Sequence, residues 1–298
     1  MREPDPALPF GRLLTAMVTP FAADGSVDLS AARRLAAHLV DQQHNDALVI
    51  NGTTGEAPTT TDAEKRELIA AVVDEIGDRA QVVAGVGTFN TDHSVHLARE
   101  AAEAGANGLL VVTPYYSKPP QEGLREYFET VASAGELPVM IYDIPGRTGT
   151  EVSTDTLIAL AEHPQIVAVK DAKGNPVASA TVMAATDLAY YAGDDAITPS
   201  LMAVGGVGLV GTSTHFSGAV MARVIADYAA GRIDEALTEY RRVLPVLTGV
   251  FATQGCSMVK AGLDLLGLPG GPLRPPMVSA APDLVAVFGE QLAAAGLR

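Results

Sequence analysis

Short apolar runs alternate with longer segments of helical spacing along most of the chain. The runs are Leu13–Val18, Ala47–Ile50, Val82–Ala84, Gly108–Val112, Pro138–Tyr142, Ile166–Val169, Leu188–Tyr191 and Val207–Val210. They are short and rich in β-branched and aromatic residues, which suits strands buried on both faces of a parallel sheet. Between them, Ser30–Gln42 sets Leu35 and Leu39 on one stripe. Asp62–Ile76 follows a Thr-rich entry that can cap a helix, and Asp92–Ala104 lies between Thr91 and a stop at Gly105. Strands alternating with helices indicate βαβ units. Eight such units by about residue 210 favour a closed (β/α)8 TIM barrel over an open doubly wound sheet. Further helical segments follow at Ala219–Ala230, Ile233–Leu247, Gln254–Leu266 and Pro282–Ala295. A barrel needs one of them. The expected organisation is therefore an α/β barrel with a short N-terminal tail over 1–230, and a C-terminal helical extension packed on it over 231–298.

Composition narrows the class. The chain has 298 residues, 48% of them apolar and 18% charged, enough to bury roughly three quarters of the unfolded surface and too apolar for disorder. Twenty Lys and Arg stand against 35 Asp and Glu, a formal net charge of −15. That balance repels phosphate backbones and anionic lipid, so nucleic acid and membrane are not expected partners. Cys256 is the single cysteine, which leaves no intrachain disulfide and no cysteine zinc site. The opening MREPDPALPF lacks the apolar core of a signal peptide, and no apolar run approaches the ~20 residues of a membrane helix. These features predict a cytoplasmic protein.

Parallel barrels build function on the loops after their strands. Asn51-Gly52-Thr53-Thr54-Gly55-Glu56 follows the second run, and Thr113-Pro114-Tyr115-Tyr116 the fourth. Tyr142 ends the fifth, ahead of Asp143-Ile144-Pro145-Gly146-Arg147-Thr148-Gly149, and Lys170 ends the sixth. Gly193-Asp194-Asp195 follows the seventh and Gly211-Thr212-Ser213-Thr214-His215 the eighth. Lys170 is the most informative of these. An amine held at the rim of an apolar barrel loses hydration of its charged form, and its neutral form attacks carbonyls. Its stem packing on the rim with the ammonium in water is the simpler alternative. Tyr142, Tyr115 and Tyr116 offer phenols for proton transfer, or merely half-buried packing. Thr53 and Thr54 offer hydroxyls for a carboxylate, or an ordinary turn. Arg147 offers a planar fork for a second carboxylate, or a surface ion pair. Singly each ordinary explanation is stronger; together on one barrel end they point to a site.

Two motifs mislead. Gly206-Val207-Gly208-Leu209-Val210-Gly211 matches GxGxxG, but the glycines interrupt an apolar run instead of opening a helix. His93 and His96 have no third ligand in sight and fit a solvated helix face. No metal is expected.

NGTTGE at 51–56, TPYYSKPPQEGL at 113–124, YDIPGRTG at 142–149, VKDAKG at 169–174 and AGDD at 192–195 resemble the dihydrodipicolinate synthase family, its actinobacterial members in particular. The resemblance runs from GRLLTAMVTPF at 11–21 to the C-terminal helices. It implies a pyruvate imine on Lys170, with Tyr142, Thr53 and Tyr116 as the remaining catalytic residues. Tyr116 would reach in from a neighbouring subunit, and Thr53 would link it to Tyr142. Thr54, Arg147, Gly193 and the backbone carbonyl of Val210 would bind substrate, Thr54 holding the pyruvate carboxylate and Arg147 that of L-aspartate-4-semialdehyde. The implied product is 4-hydroxy-tetrahydrodipicolinate, on the route to lysine and diaminopimelate, with no cofactor and a homotetramer built from two dimers.

The chain departs from its relatives in two places. Where lysine-inhibited members carry a His, an Asn and a Glu, Asp62, Phe89 and His93 stand here, with Tyr115 kept. Weak or absent inhibition by lysine is the expectation. GTSTHF at 211–216 replaces a different small or apolar run beside the substrate pocket, which leaves a related pyruvate-dependent aldolase or dehydratase with another acceptor as the alternative. A non-catalytic paralogue is a third reading, opposed by the joint presence of Lys170, Tyr142, Thr53, Tyr116 and Arg147.

Overall fold

The structure, a computed structural model, describes residues 5–298. Eight parallel strands close into a barrel in chain order: β1 Leu13–Ala16, β2 Ala47–Ile50, β3 Gln81–Gly85, β4 Gly108–Val112, β5 Val139–Asp143, β6 Ile166–Asp171, β7 Ala189–Ala192 and β8 Gly208–Gly211. The (β/α)8 expectation is borne out. Strands β5, β6 and β7 run one or two residues further than the apolar runs, because Asp143, Asp171 and Ala192 still pair across the ladder.

The helices form where capping and amphipathicity agree. Helix α1 (Leu29–Asp41) opens on Asp28, whose side chain accepts from the Ala31 N–H, and buries Leu35 and Leu39 on the barrel. Helix α2 (Asp62–Ile76) starts on a capping box in which Thr61 and Glu64 accept each other's backbone N–H. Helix α3 (Thr91–Glu103) is capped by Asn90, with Thr91 already its first residue. It ends before Gly105, whose φ of +89° suits a residue without Cβ. Helices α4 (Gln121–Gly135), α5 (Pro145–Thr148), α6 (Thr154–Leu160), α7 (Pro176–Ala185) and α8 (Thr198–Met202) complete the outer ring, with α9 (Thr214–Ala229) after β8. Helices α10 (Ile233–Gly249), α11 (Gly255–Leu265) and α12 (Pro282–Ala294) follow.

Alternation along the strands makes two cores. Leu14, Val49, Val83, Leu110, Met140, Ala168, Tyr191 and Val210 fill the barrel, with Phe10 beneath them. Leu48, Ile50, Val82, Leu109, Ile141, Val169 and Tyr190 face outward to the helices. The glycines of the misleading GxGxxG serve this packing. A Cβ on Gly208 would sit 2.0 Å from the Arg12 carbonyl oxygen, so β8 approaches the start of β1 only as glycine. On β6 the inward set is Ala168 and then Lys170, which puts the amine at the head of the barrel interior.

Candidate active site

The C-terminal ends of the strands surround a cavity of about 340 Å³. Thr53, Thr54, Tyr142, Arg147, Lys170 and Gly193 all line it, so the structure brings together six of the eight residues singled out from the sequence.

Lys170 and Tyr142 are register partners on β6 and β5, and the amine lies 4.2 Å from the centroid of the phenol ring. Lys170 is 4% exposed, and among the described residues its amine has no hydrogen-bond or carboxylate partner. Burial pulls its pKa down to about 8; the negative charge of Asp195 works against that and the Arg147 guanidinium adds to it. Burial pushes the Tyr142 phenol up to about 12, partly offset by Arg147, raised further by Asp195, and lowered by the neighbouring Thr53 hydroxyl. A partly neutral amine beside a protonated phenol can attack a carbonyl and have protons delivered.

The loop after β2 is held rigidly. Asn51 and Glu56 both adopt left-handed backbone, at φ 61° and 54°. The Asn51 amide donates to the Lys65 carbonyl, and Thr19 donates to the Gly55 carbonyl at 2.7 Å. The Glu56 side chain is buried, 2.6 Å from the Lys260 amine, and accepts the Arg274 N–H at 3.0 Å. This fixes Thr53, which is exposed towards the cavity mouth, and Thr54, whose hydroxyl lies 3.4 Å from that of Thr212. Arg147 sits on α5, a single turn opened by Pro145 and closed by Gly149 at φ +77°. Its guanidinium donates to the Gln254 side-chain oxygen at 3.2 Å.

The Dihydrodipicolinate synthetase family matches residues 9–295. The chain belongs to that family. A 4-hydroxy-tetrahydrodipicolinate synthase of Cutibacterium acnes is 64% identical over 94% of this chain and 95% of its own. One from Acidothermus cellulolyticus is 60% identical over 97% and 93%. Among solved structures, the family enzyme of Cyanidioschyzon merolae with lysine bound superposes with a TM-score of 0.95 at 39% identity, over 97% of this chain and 99% of that one. The actinobacterial resemblance read from the motifs is borne out. The family is one of lyases.

Two of the eight residues lie outside the cavity. Val210 is fully buried within the barrel interior and does not line it. Tyr116 is 94% exposed, at a left-handed φ of 74°, and does not line its own chain's cavity. Tyr115 packs edge-on against Phe89 with centroids 5.5 Å apart.

The stretch 211–216 is not the loop it resembles in the sequence. Helix α9 begins at Thr214, ahead of the expected Ala219. His215 is buried; its Nδ1 donates to the Thr212 carbonyl and its Nε2 accepts the Val18 N–H, so it packs as a neutral ring, its pKa pulled down to about 4 by burial. From this stretch Thr212 alone lines the cavity. His93 is not simply solvated either: its Nε2 lies 3.0 Å from both Asp62 oxygens. Among the described residues no His, Cys, Asp and Glu group is placed to hold a metal, and no helix is long and apolar enough to cross a membrane.

Phe251, Gln254, Cys256, Pro276 and Met277 also line the cavity, from beyond the barrel. Sequence reasoning missed them because nothing local marks them. Only the packing of α11 and the segment after it against the β2 loop, through Glu56, Lys260 and Arg274, brings them there.

Proposed function

We propose that this chain condenses pyruvate with L-aspartate-4-semialdehyde to 4-hydroxy-tetrahydrodipicolinate through an imine on Lys170. The observation that carries the reading is the unpartnered, buried Lys170 amine at the head of a cavity shared with Tyr142. The neutral amine attacks C2 of pyruvate, and the carbinolamine loses water as Tyr142 moves protons. The resulting iminium acidifies C3, which gives up a proton to leave an enamine. The enamine attacks the aldehyde carbon. The substrate's own amine then adds to C2, closes the ring and expels Lys170. The lysine supplies the electron sink, so the reading calls for no cofactor.

In this scheme Thr54 and nearby backbone N–H groups hold the pyruvate carboxylate, with Gly193 lining that side; Val210, which does not line the cavity, has no direct contact in the scheme. Arg147, held by Gln254, takes the second carboxylate as a planar fork. The exposed Tyr116 belongs to the site of a neighbouring subunit, where Thr53 links it to Tyr142. The protein acts in the cytoplasm as a homotetramer of two dimers, each chain a barrel over 1–230 with an extension over 231–298. Because 211–216 alters the cavity at Thr212 only, while Arg147 is kept, the semialdehyde is favoured over sugar-acid acceptors.

The test supplies pyruvate with the semialdehyde and, separately, with uncharged and hydroxylated aldehydes, and identifies products by mass spectrometry. Turnover with the semialdehyde above the others supports the reading. Turnover only with another aldehyde overturns the acceptor; no pyruvate consumption with any of them overturns the chemistry.

A further inference from the structure

Lys170 shares its cavity with the Tyr142 phenol and the exposed Arg147 guanidinium, and neither stabilises a positive charge on its nitrogen by ion pairing. An acid stands behind the cavity wall: Gly193 and Thr212 line the cavity with Lys170, and Asp195 lies two residues beyond the first and is bonded to the backbone of the second. Asp195 follows β7 and Gly193 and is 0% exposed. Its carboxylate accepts the Thr212 N–H at 3.1 Å on both oxygens, and the Ser213 N–H at 2.8 Å. It also accepts the Ser213 hydroxyl, which lies 3.0 Å from the Ser217 hydroxyl. These donors form the head of α9, so the acid is seated where a helix favours negative charge. Room is made for it: a Cβ on Gly211 would come within 2.9 Å of an Asp195 oxygen. Among the described residues no cationic side chain pairs with it.

We infer that Asp195 is a positioning residue for the reaction proposed above: its negative charge, clamped on the head of α9 behind the wall that Gly193 and Thr212 give the Lys170 cavity, stabilises the cationic imine nitrogen as it forms. The inference rests on the imine reading. One neutral amine, one pyruvate and one proton give one iminium and one water, so a positive charge appears on the Lys170 nitrogen. Loss of the C3 proton removes it in the enamine, and carbon–carbon bond formation restores it. A fixed acid in a dry site serves both cationic stages without reorganising. Its field already reaches both groups, opposing the fall of the Lys170 pKa and adding to the rise of that of Tyr142. The other charge facing Lys170 is Arg147, of opposite effect. Burial pushes the Asp195 carboxyl up and Asp194 adds to this, while the Ser213 and Thr212 donors hold it down.

The test uses full-length Asp195→Asn, Ser213→Ala and Asp194→Asn, with melting curves. The readout is borohydride trapping of pyruvate across pH. In Asp195→Asn the pH midpoint of trapping should fall by about one unit or more, and the pyruvate needed for half-maximal trapping should rise about tenfold. Ser213→Ala should move both less, in the same direction, and the exposed Asp194 should move neither. A merely structural acid would lower the melting temperature without moving the midpoint. If folded Asp195→Asn keeps the wild-type midpoint, the inference falls. If that variant does not fold, an unmoved midpoint in Ser213→Ala overturns it. No adduct in the wild type would instead overturn the imine reading itself.

Discussion

Lys170 and Lys260 are both lysines that the fold removes from water, 4% and 5% exposed, and they meet opposite fates. Lys260, on α11, has its amine 2.6 Å from a Glu56 oxygen and 2.6 Å from the Pro272 carbonyl, over the Phe21 ring at 4.3 Å. Burial lowers its pKa, and Glu56 pulls it back. Arg274 backs the pair, stacking on Phe21 and bonding Glu64, whose carboxyl it holds down to about 2. Lys170 is as buried and also sits against a ring, Tyr142 at 4.2 Å, but among the described residues has no carboxylate or carbonyl ligand. A buried ammonium that finds a carboxylate becomes a fastener; one that finds none becomes a base and nucleophile. In the proposed reading, neighbouring parts of one molecule thus use one residue type for stability and for chemistry.

The comparison breaks most visibly at Lys170 itself. Lys170→Ala should lower turnover by at least about 10³-fold, since the covalent route is gone. The melting temperature should hold, because no ion pair is lost; steady-state rates and a melting curve check both. Substantial residual turnover would remove Lys170 from the mechanism.

Lys260→Met should do the reverse. It leaves Glu56 buried without its counter-charge, a loss of about 3–5 kcal/mol that urea unfolding would read as a lower midpoint. The folded fraction should still trap pyruvate on Lys170. Loss of trapping at unchanged stability would dissolve the distinction.

Much of that distinction was legible in the sequence and part of it was not. Lys170 stood out because a lysine ending IVAVK has one inward place to go, and the barrel followed from periodicity alone. Helix α2 matched to the residue because Thr61 and Glu64 form a local box. The start of α9 was missed because Ser213 makes no side-chain cap and GTSTHF carries no amphipathic stripe. Asp195 carries no local mark of a role in the sequence, since its burial depends on Thr212 and Ser213 arriving from another strand. The ligands of Lys260 lie on the β2 loop and on the segment after α11, so its fastening is a purely tertiary fact.

Two smaller effects sharpen the picture. Arg147→Ala should raise the KM for the semialdehyde about 10- to 100-fold, as expected for a lost charge-assisted pair, with the pyruvate needed for half-maximal trapping changing far less and the pH midpoint of trapping moving up, because Arg147 adds to the fall of the Lys170 pKa. Gln254→Ala should shift it less, because it only orients the guanidinium. Equal effects on both substrates would contradict this division. The smallest effect concerns a third lysine. Lys65 is buried, its amine bonded to the Thr60 carbonyl and 4.0 Å from Asp62, which also pairs with His93. With Asp62 engaged and Phe89 in place of an amide, free lysine at about millimolar concentration should leave turnover unchanged. Strong inhibition below that concentration, in a steady-state assay, would refute it.

The most direct measurement follows the unmutated protein. Pyruvate is added at a series of pH values, borohydride reduces the imine, and the labelled peptide is located by mass spectrometry. Imine formation needs the neutral amine, so the rate should climb as pH rises through about 8 and then level, with the adduct on Lys170 and none on Lys260. An adduct on Lys260, or a midpoint near the ~10.4 of an ordinary lysine, would contradict the claim that an unpartnered buried amine does the chemistry.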